Sequence, residues 1–88
     1  MKTEFKSSFL KDLKKVKSGK LKRQLLDVIT EVEACASLSE MDHVKKLHGA
    51  ENYYRIRIGE YRLGLKLENN TVTFVRFLDR KDIYRYFP

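Results

Sequence analysis

Tyr54-Arg55-Ile56-Arg57-Ile58-Gly59-Glu60-Tyr61-Arg62 separates cleanly when read with period two. Tyr54, Ile56 and Ile58 point one way, and Arg55 and Arg57 the other. Gly59-Glu60 is a short break with turn chemistry, because Gly tolerates a positive φ. A second strand starts at Tyr61, with Arg62 beside its first residue. The stretch predicts a hairpin with one apolar face and one arginine-bearing face. Guanidinium groups held on stiff backbone suit phosphate oxygens, which the planar fork bonds two at a time. A merely solvated sheet face would also carry arginines. Arg80, Tyr84 and Arg85 near the end of the chain weigh against that reading.

The hairpin continues as a meander. Strands are predicted at Tyr53–Ile58, Tyr61–Glu68 and Thr71–Leu78, the last rich in β-branched and aromatic residues. Asn69-Asn70 is a two-residue turn, since Asn tolerates the left-handed region. A tight hairpin there sets Leu67 against Val72, Leu65 against Phe74 and Leu63 against Arg76. The last pair puts a charge on the core face. Either Arg76 sits at the sheet margin or a bulge changes the register.

Upstream, Lys2–Phe5 alternates weakly and predicts a short strand. Ser7 or Ser8 is a candidate helix cap. Phe9, Leu10, Leu13 and Val16 then recur at helical spacing, and Ser18-Gly19 is expected to end that helix. Leu21, Leu25, Val28, Val32 and Cys35 form the strongest helical period in the chain, widened by Leu26 and Ile29. The two helices should form an antiparallel hairpin. Cys35 falls on the buried stripe and reads as a small core residue rather than a nucleophile. From Ala36 to Ala50 the pattern loosens. His43 and His48 lie there without the spacing of metal ligands, so no metal is assigned. Asp82–Phe87 is expected to form a final helical turn. The result is one α+β domain over residues 1–88, ordered β-α-α-β-β-β with a short C-terminal helix. The helix hairpin covers one face of a small, mostly antiparallel sheet.

Composition narrows the partners. With 42% hydrophobic and 35% charged residues, the chain is an ordinary globular sequence. No apolar run approaches the ~20 residues of a membrane helix, and the N-terminus lacks the apolar core of a signal peptide. One cysteine offers no internal disulfide. A cytoplasmic location is expected. The net charge of +7 points to a polyanionic partner, nucleic acid or an acidic protein. Residues 2–23 carry a net +7 and are lysine-rich, residues 24–51 a net −4, and residues 52–88 a net +4 that is arginine-rich. Lysine suits long-range attraction and arginine suits close geometric contact. Steering is therefore expected from the helices and chemistry from the sheet.

The run Tyr54–Arg62, the segment Lys46-Leu47-His48-Gly49 and the later Arg80-Lys81-Asp82-Ile83-Tyr84 resemble the RelE/ParE superfamily of bacterial toxins. They look more like the RelE branch, whose members cut messenger RNA on the ribosome. The resemblance covers nearly the whole chain. It implies metal-independent cleavage by the 2′-hydroxyl, with no cofactor, and a cognate antitoxin as partner in a hetero-oligomeric complex. It places the phosphate-stabilising arginine at Arg62, a second arginine near the leaving group at Arg80, and a base-stacking tyrosine at Tyr84. Arg55 and Arg57 stand where many relatives have lysine, one of them a proposed base. Arginine is a poor base because its pKa exceeds ~12. Arg57 is counted with the candidate catalytic residues; Arg55, Lys81 and Arg85 are candidates for RNA binding. Asp79 stands where close relatives often have histidine. It is either the base itself or a partner that neutralises Arg80. Relatives of the ParE branch, which poison gyrase, share the fold and the basic surface. A non-catalytic protein that binds nucleic acid and an acidic partner is the other alternative.

Overall fold

The computed structural model describes residues 1–88. The elements in order are β1 (Lys2–Phe5), α1 (Ser7–Lys15), α2 (Gly19–Ala34), a 3-10 turn (Leu38–Glu40), β2 (Val44–Lys46), β3 (Tyr53–Ile58), β4 (Tyr61–Glu68), β5 (Thr71–Asp79) and α3 (Arg80–Tyr86). The sheet order is β1-β5-β4-β3-β2. Only the β1–β5 pair is parallel. This is the expected α+β architecture with one added strand, β2. Val44, Lys45 and Lys46 are too few to make a recognisable alternation, and their pairing partner lies in β3.

The inner sheet face carries Ile56, Ile58, Leu63, Leu65, Val72, Phe74 and Phe77, packed with Phe9, Leu25 and Val32 from the helices. Burying a side chain of this size contributes ~1.5–3 kcal/mol. Both hairpin turns behave as their residues dictate. Gly59 has φ +59°, and Asn69 and Asn70 have φ +52° and +58°. Positive φ at both Asn69 and Asn70, and at Gly59 as the first central residue of its turn, matches the right-handed strand twist.

The Arg76 problem is resolved by a bulge. Leu67 opposes Val72 and Leu65 opposes Phe74, as expected, but Gly64 then opposes Arg76 and Leu63 opposes Phe77. Val75 is the extra residue. Two side chains of α1 hold the irregularity. Ser8 Oγ donates to the Val75 carbonyl at 2.6 Å. One turn later, Asp12 accepts from Arg76 Nε at 2.8 Å, Arg76 Nη2 at 2.9 Å and the Phe77 amide at 2.9 Å. β1 pairs with β5 only as far as Phe74, so Arg76 also lies on an open edge. The Asp12 hydrogen bonds raise the Arg76 pKa against the opposing effect of burial, so this guanidinium stays charged. Asp12 is buried and belongs to the fold.

Several local expectations are corrected. Ser7 and Ser8 do not cap α1, whose N-cap is Lys6; Ser8 serves the bulge instead. Ser18 does not end α1 but caps α2, accepting from the Leu21 amide, and Gly19 is the first residue of that helix. Cys35 is half-buried at the C-cap of α2. Leu10 and Leu26 stay 46% and 61% exposed, because a helix lying on a sheet buries a narrower stripe than their pattern allowed. α3 begins two residues earlier than expected.

Gly64 faces the outer side of the sheet, where Phe87 closes over it. A Cβ built at Gly64 would lie 2.8 Å from three atoms of the Phe87 ring. Gly64→Ala is therefore expected to lose about 1–3 kcal/mol by overpacking, read as a lower urea midpoint at unchanged slope.

Candidate functional site

The outer face of the β3–β4 hairpin is built by register. Arg57 lies directly opposite Arg62, Arg55 opposite Gly64, and Lys45 of β2 opposite Arg55. Like charges placed opposite each other across two strands are destabilising. No carboxylate lies within 4.0 Å of Arg55, Arg57 or Arg62. The fold therefore holds unneutralised positive charge on rigid backbone, which an anion would relieve.

α3 supplies the aromatic partner. Its Tyr84 ring lies 4.6 Å from the Arg55 guanidinium carbon, and its side chain is 70% exposed. The same helix is seated by Ile83 and Phe87, both buried four residues apart. Arg55, Arg57, Arg62 and Tyr84 line one cleft of about 490 Å³ together with His43 and Lys45.

The β3–β4 turn organises two arginines. Arg62 Nη1 donates to the Gly59 and Tyr61 carbonyls, each at 2.9 Å. Arg80 Nε lies 3.1 Å from Glu60 Oε2, and the Arg80 amide donates to the Glu60 carbonyl at 2.8 Å. Arg80 is thus tied to the turn that also holds Arg62, and does not itself line the cleft. Lys81 and Arg85 are exposed on α3, Lys81 one turn before both Tyr84 and Arg85, and neither lines the cleft.

Asp79 lies elsewhere. Opposite Tyr61 in the register, it sits on the other side of the sheet from Arg62, in a groove shared with Asp12, Arg76 and Asp82. Its carboxylate caps α3, accepting from the Lys81 amide at 2.9 Å. Arg80 takes its carboxylate from Glu60, so neither role assigned to Asp79 matches its contacts. Asn is as good an N-cap as Asp. Asp79→Asn is therefore expected to keep both fold and activity, whereas Asp79→Ala should cost ~1 kcal/mol of stability. Thermal melts beside an activity assay check both; a hundredfold activity loss in the Asn variant would restore Asp79 to the site.

Two residues of the cleft escape a reading of the chain. His43 and Lys45 reach it only because β2 pairs with β3. The sole local signal was Val44, an apolar residue between two polar ones.

A model of the family described as "ParE toxin of type II toxin-antitoxin system, parDE" matches residues 3–84. The chain is 43% identical over 89 residues to Toxin RelE3 of Methanocaldococcus jannaschii, with both chains covered in full. It superposes on a chain of the RelB-RelE antitoxin-toxin complex from Methanococcus jannaschii with a TM-score of 0.83 at 41% identity, covering 97% of this chain and 99% of that one. The intact RelBE toxin-antitoxin complex of E. coli contains a chain with the same fold, with a TM-score of 0.72 at 21% identity, covering 89% and 94%. The arginine-faced hairpin, the β-α-α-β-β-β-β order and these likenesses agree: the chain belongs to the RelE/ParE superfamily of toxins from type II toxin-antitoxin systems.

Proposed function

We propose that this toxin is a ribosome-dependent endoribonuclease that cuts messenger RNA without a metal. The observation that carries the reading is the outer hairpin face, where Arg57 and Arg62 oppose each other beside Arg55 and Tyr84 with no neutralising carboxylate. In the reaction a 2′-hydroxyl attacks the adjacent phosphorus. Arg62 and Arg57 hold the phosphorane oxygens, where charge develops. Arg80 lies beside the departing 5′-oxygen. Tyr84 stacks an unpaired base, which single-stranded RNA presents and a duplex does not. Arg55, Lys81 and Arg85 hold the flanking backbone. The site acts on the cytoplasmic translation machinery, and no helix is long and apolar enough to cross a membrane.

The partner is a cognate antitoxin, as RelB is for the relatives solved as complexes. An acidic antitoxin segment would meet the +7 charge of this chain.

The matching family description names ParE, and this favours one second reading, inhibition of gyrase. Induction of the protein in growing cells separates the two. Early arrest of translation, with new message ends mapped by primer extension, supports the endoribonuclease. Loss of DNA supercoiling with intact message supports the other reading.

A further inference from the structure

Resting on the endoribonuclease reading, we propose that His43 is the proton acceptor for the attacking 2′-hydroxyl. The cleft otherwise holds positive charge without a base. Arg55, Arg57 and Arg62 do not give up their protons, and Asp79 lies across the sheet. Of the side-chain types facing the cleft, imidazole is the one that readily exchanges a proton near neutral pH.

Position supports the role. Val44 pairs with Ile56, so residue 43 falls opposite Arg57, and the Arg57 amide donates to the His43 carbonyl at 3.2 Å. Alternation puts Val44 inward and Lys45 on the arginine face, and His43, in the turn just before β2, lines the same cleft as Arg55, Arg57 and Arg62. His43 has φ +65°, a left-handed conformation that is uncommon for a residue with a side chain. Pairing with β3 keeps it there. His43 also borders a hollow of about 380 Å³ that reaches Asp27 on α2 and Gly59 in the turn. The charged and titratable groups around it are thus Arg55, Arg57 and Arg62 on the hairpin, Lys45 on its own strand, Tyr84 on α3 and Asp27 on α2.

The step balances. An imidazole nitrogen takes the 2′-hydroxyl proton as the O2′–P bond forms. The P–O5′ bond breaks, and its electron pair stays on O5′, which takes a proton from water. The products are a 2′,3′-cyclic phosphate and a 5′-hydroxyl. The imidazolium returns its proton to the hydroxide left by that water.

Two variants keep the backbone. His43→Gly and His43→Asn both suit positive φ, and thermal melts confirm that each folds. Single-turnover cleavage on programmed ribosomes, across pH, is expected to fall ~10²–10⁴-fold in both. The rate increase with rising pH should vanish with the imidazole. Added imidazole should restore cleavage to His43→Gly and leave Arg62→Ala unchanged. Rates within a few-fold of the native protein, or a loss that imidazole does not rescue, overturn the assignment of His43 alone. A native protein that leaves ribosome-bound message intact overturns the endoribonuclease reading, and this inference with it.

Discussion

Message held on a programmed ribosome is expected to be cut by the native protein orders of magnitude faster than the same RNA free in solution. The reason lies in the shape of the site. The cleft is open, its floor is a sheet face, and Tyr84, Arg57 and His43 are exposed around it. Nothing there encloses a flexible strand or sets a 2′-oxygen in line with the departing 5′-oxygen. Binding alone therefore leaves most of the orientational cost in place. Correct alignment is worth ~7–11 kcal/mol of a barrier, and the ribosome, which presents message single-stranded and held, can supply it. Single-turnover rates on both substrates measure the effect. Comparable specific cleavage of protein-free RNA would show that the chain aligns its own substrate.

Arg62→Ala is expected to abolish growth inhibition and to lower cleavage on the ribosome ~10²–10³-fold, the usual loss for a donor aimed at developing charge. Stability should change little, within about 0.5 kcal/mol. The residue lies on the outer face, and its contacts within the chain are two hydrogen bonds to turn carbonyls. Those bonds aim the guanidinium along the hairpin, beside Arg57. Arg62→Lys should recover only part of the rate, because an ammonium cannot fork between two phosphate oxygens. Paired melting curves and ribosome cleavage assays separate loss of site from loss of fold. A well-folded Arg62→Ala protein that retains full toxicity would remove this arginine from the mechanism.

Charge on α1 and α2 fits the division of labour read from composition. Lysines such as Lys11, Lys14, Lys20 and Lys22 lie exposed on the helices, where strongly hydrated charges act at a distance. Arg55, Arg57, Arg62 and Arg76 occupy the sheet, where geometry is fixed.

What the chain determined by itself was whatever depends on near neighbours. Alternation from Tyr54 to Ile58 put two arginines on one face, and Gly59-Glu60 and Asn69-Asn70 set the turns that carried Arg62 to the same face. Helical spacing placed Leu25 and Val32 in the core, and a bare α+β order followed. What tertiary structure decided was whatever depends on distant partners. Val75 is bulged because Ser8 and Asp12, more than sixty residues earlier, satisfy its carbonyl and the Phe77 amide. That register shift sets Arg62 against Leu78 and Asp79 against Tyr61, which sends Asp79 away from Arg55, Arg57 and Arg62 and into the cap of α3. β2 exists because β3 offers it an edge, and only that pairing brings His43 beside Arg57. Side-chain alternation is a property of one strand. Register, bulges and the choice of ion-pair partner are set by which segments meet, and three-dimensional packing alone selects those.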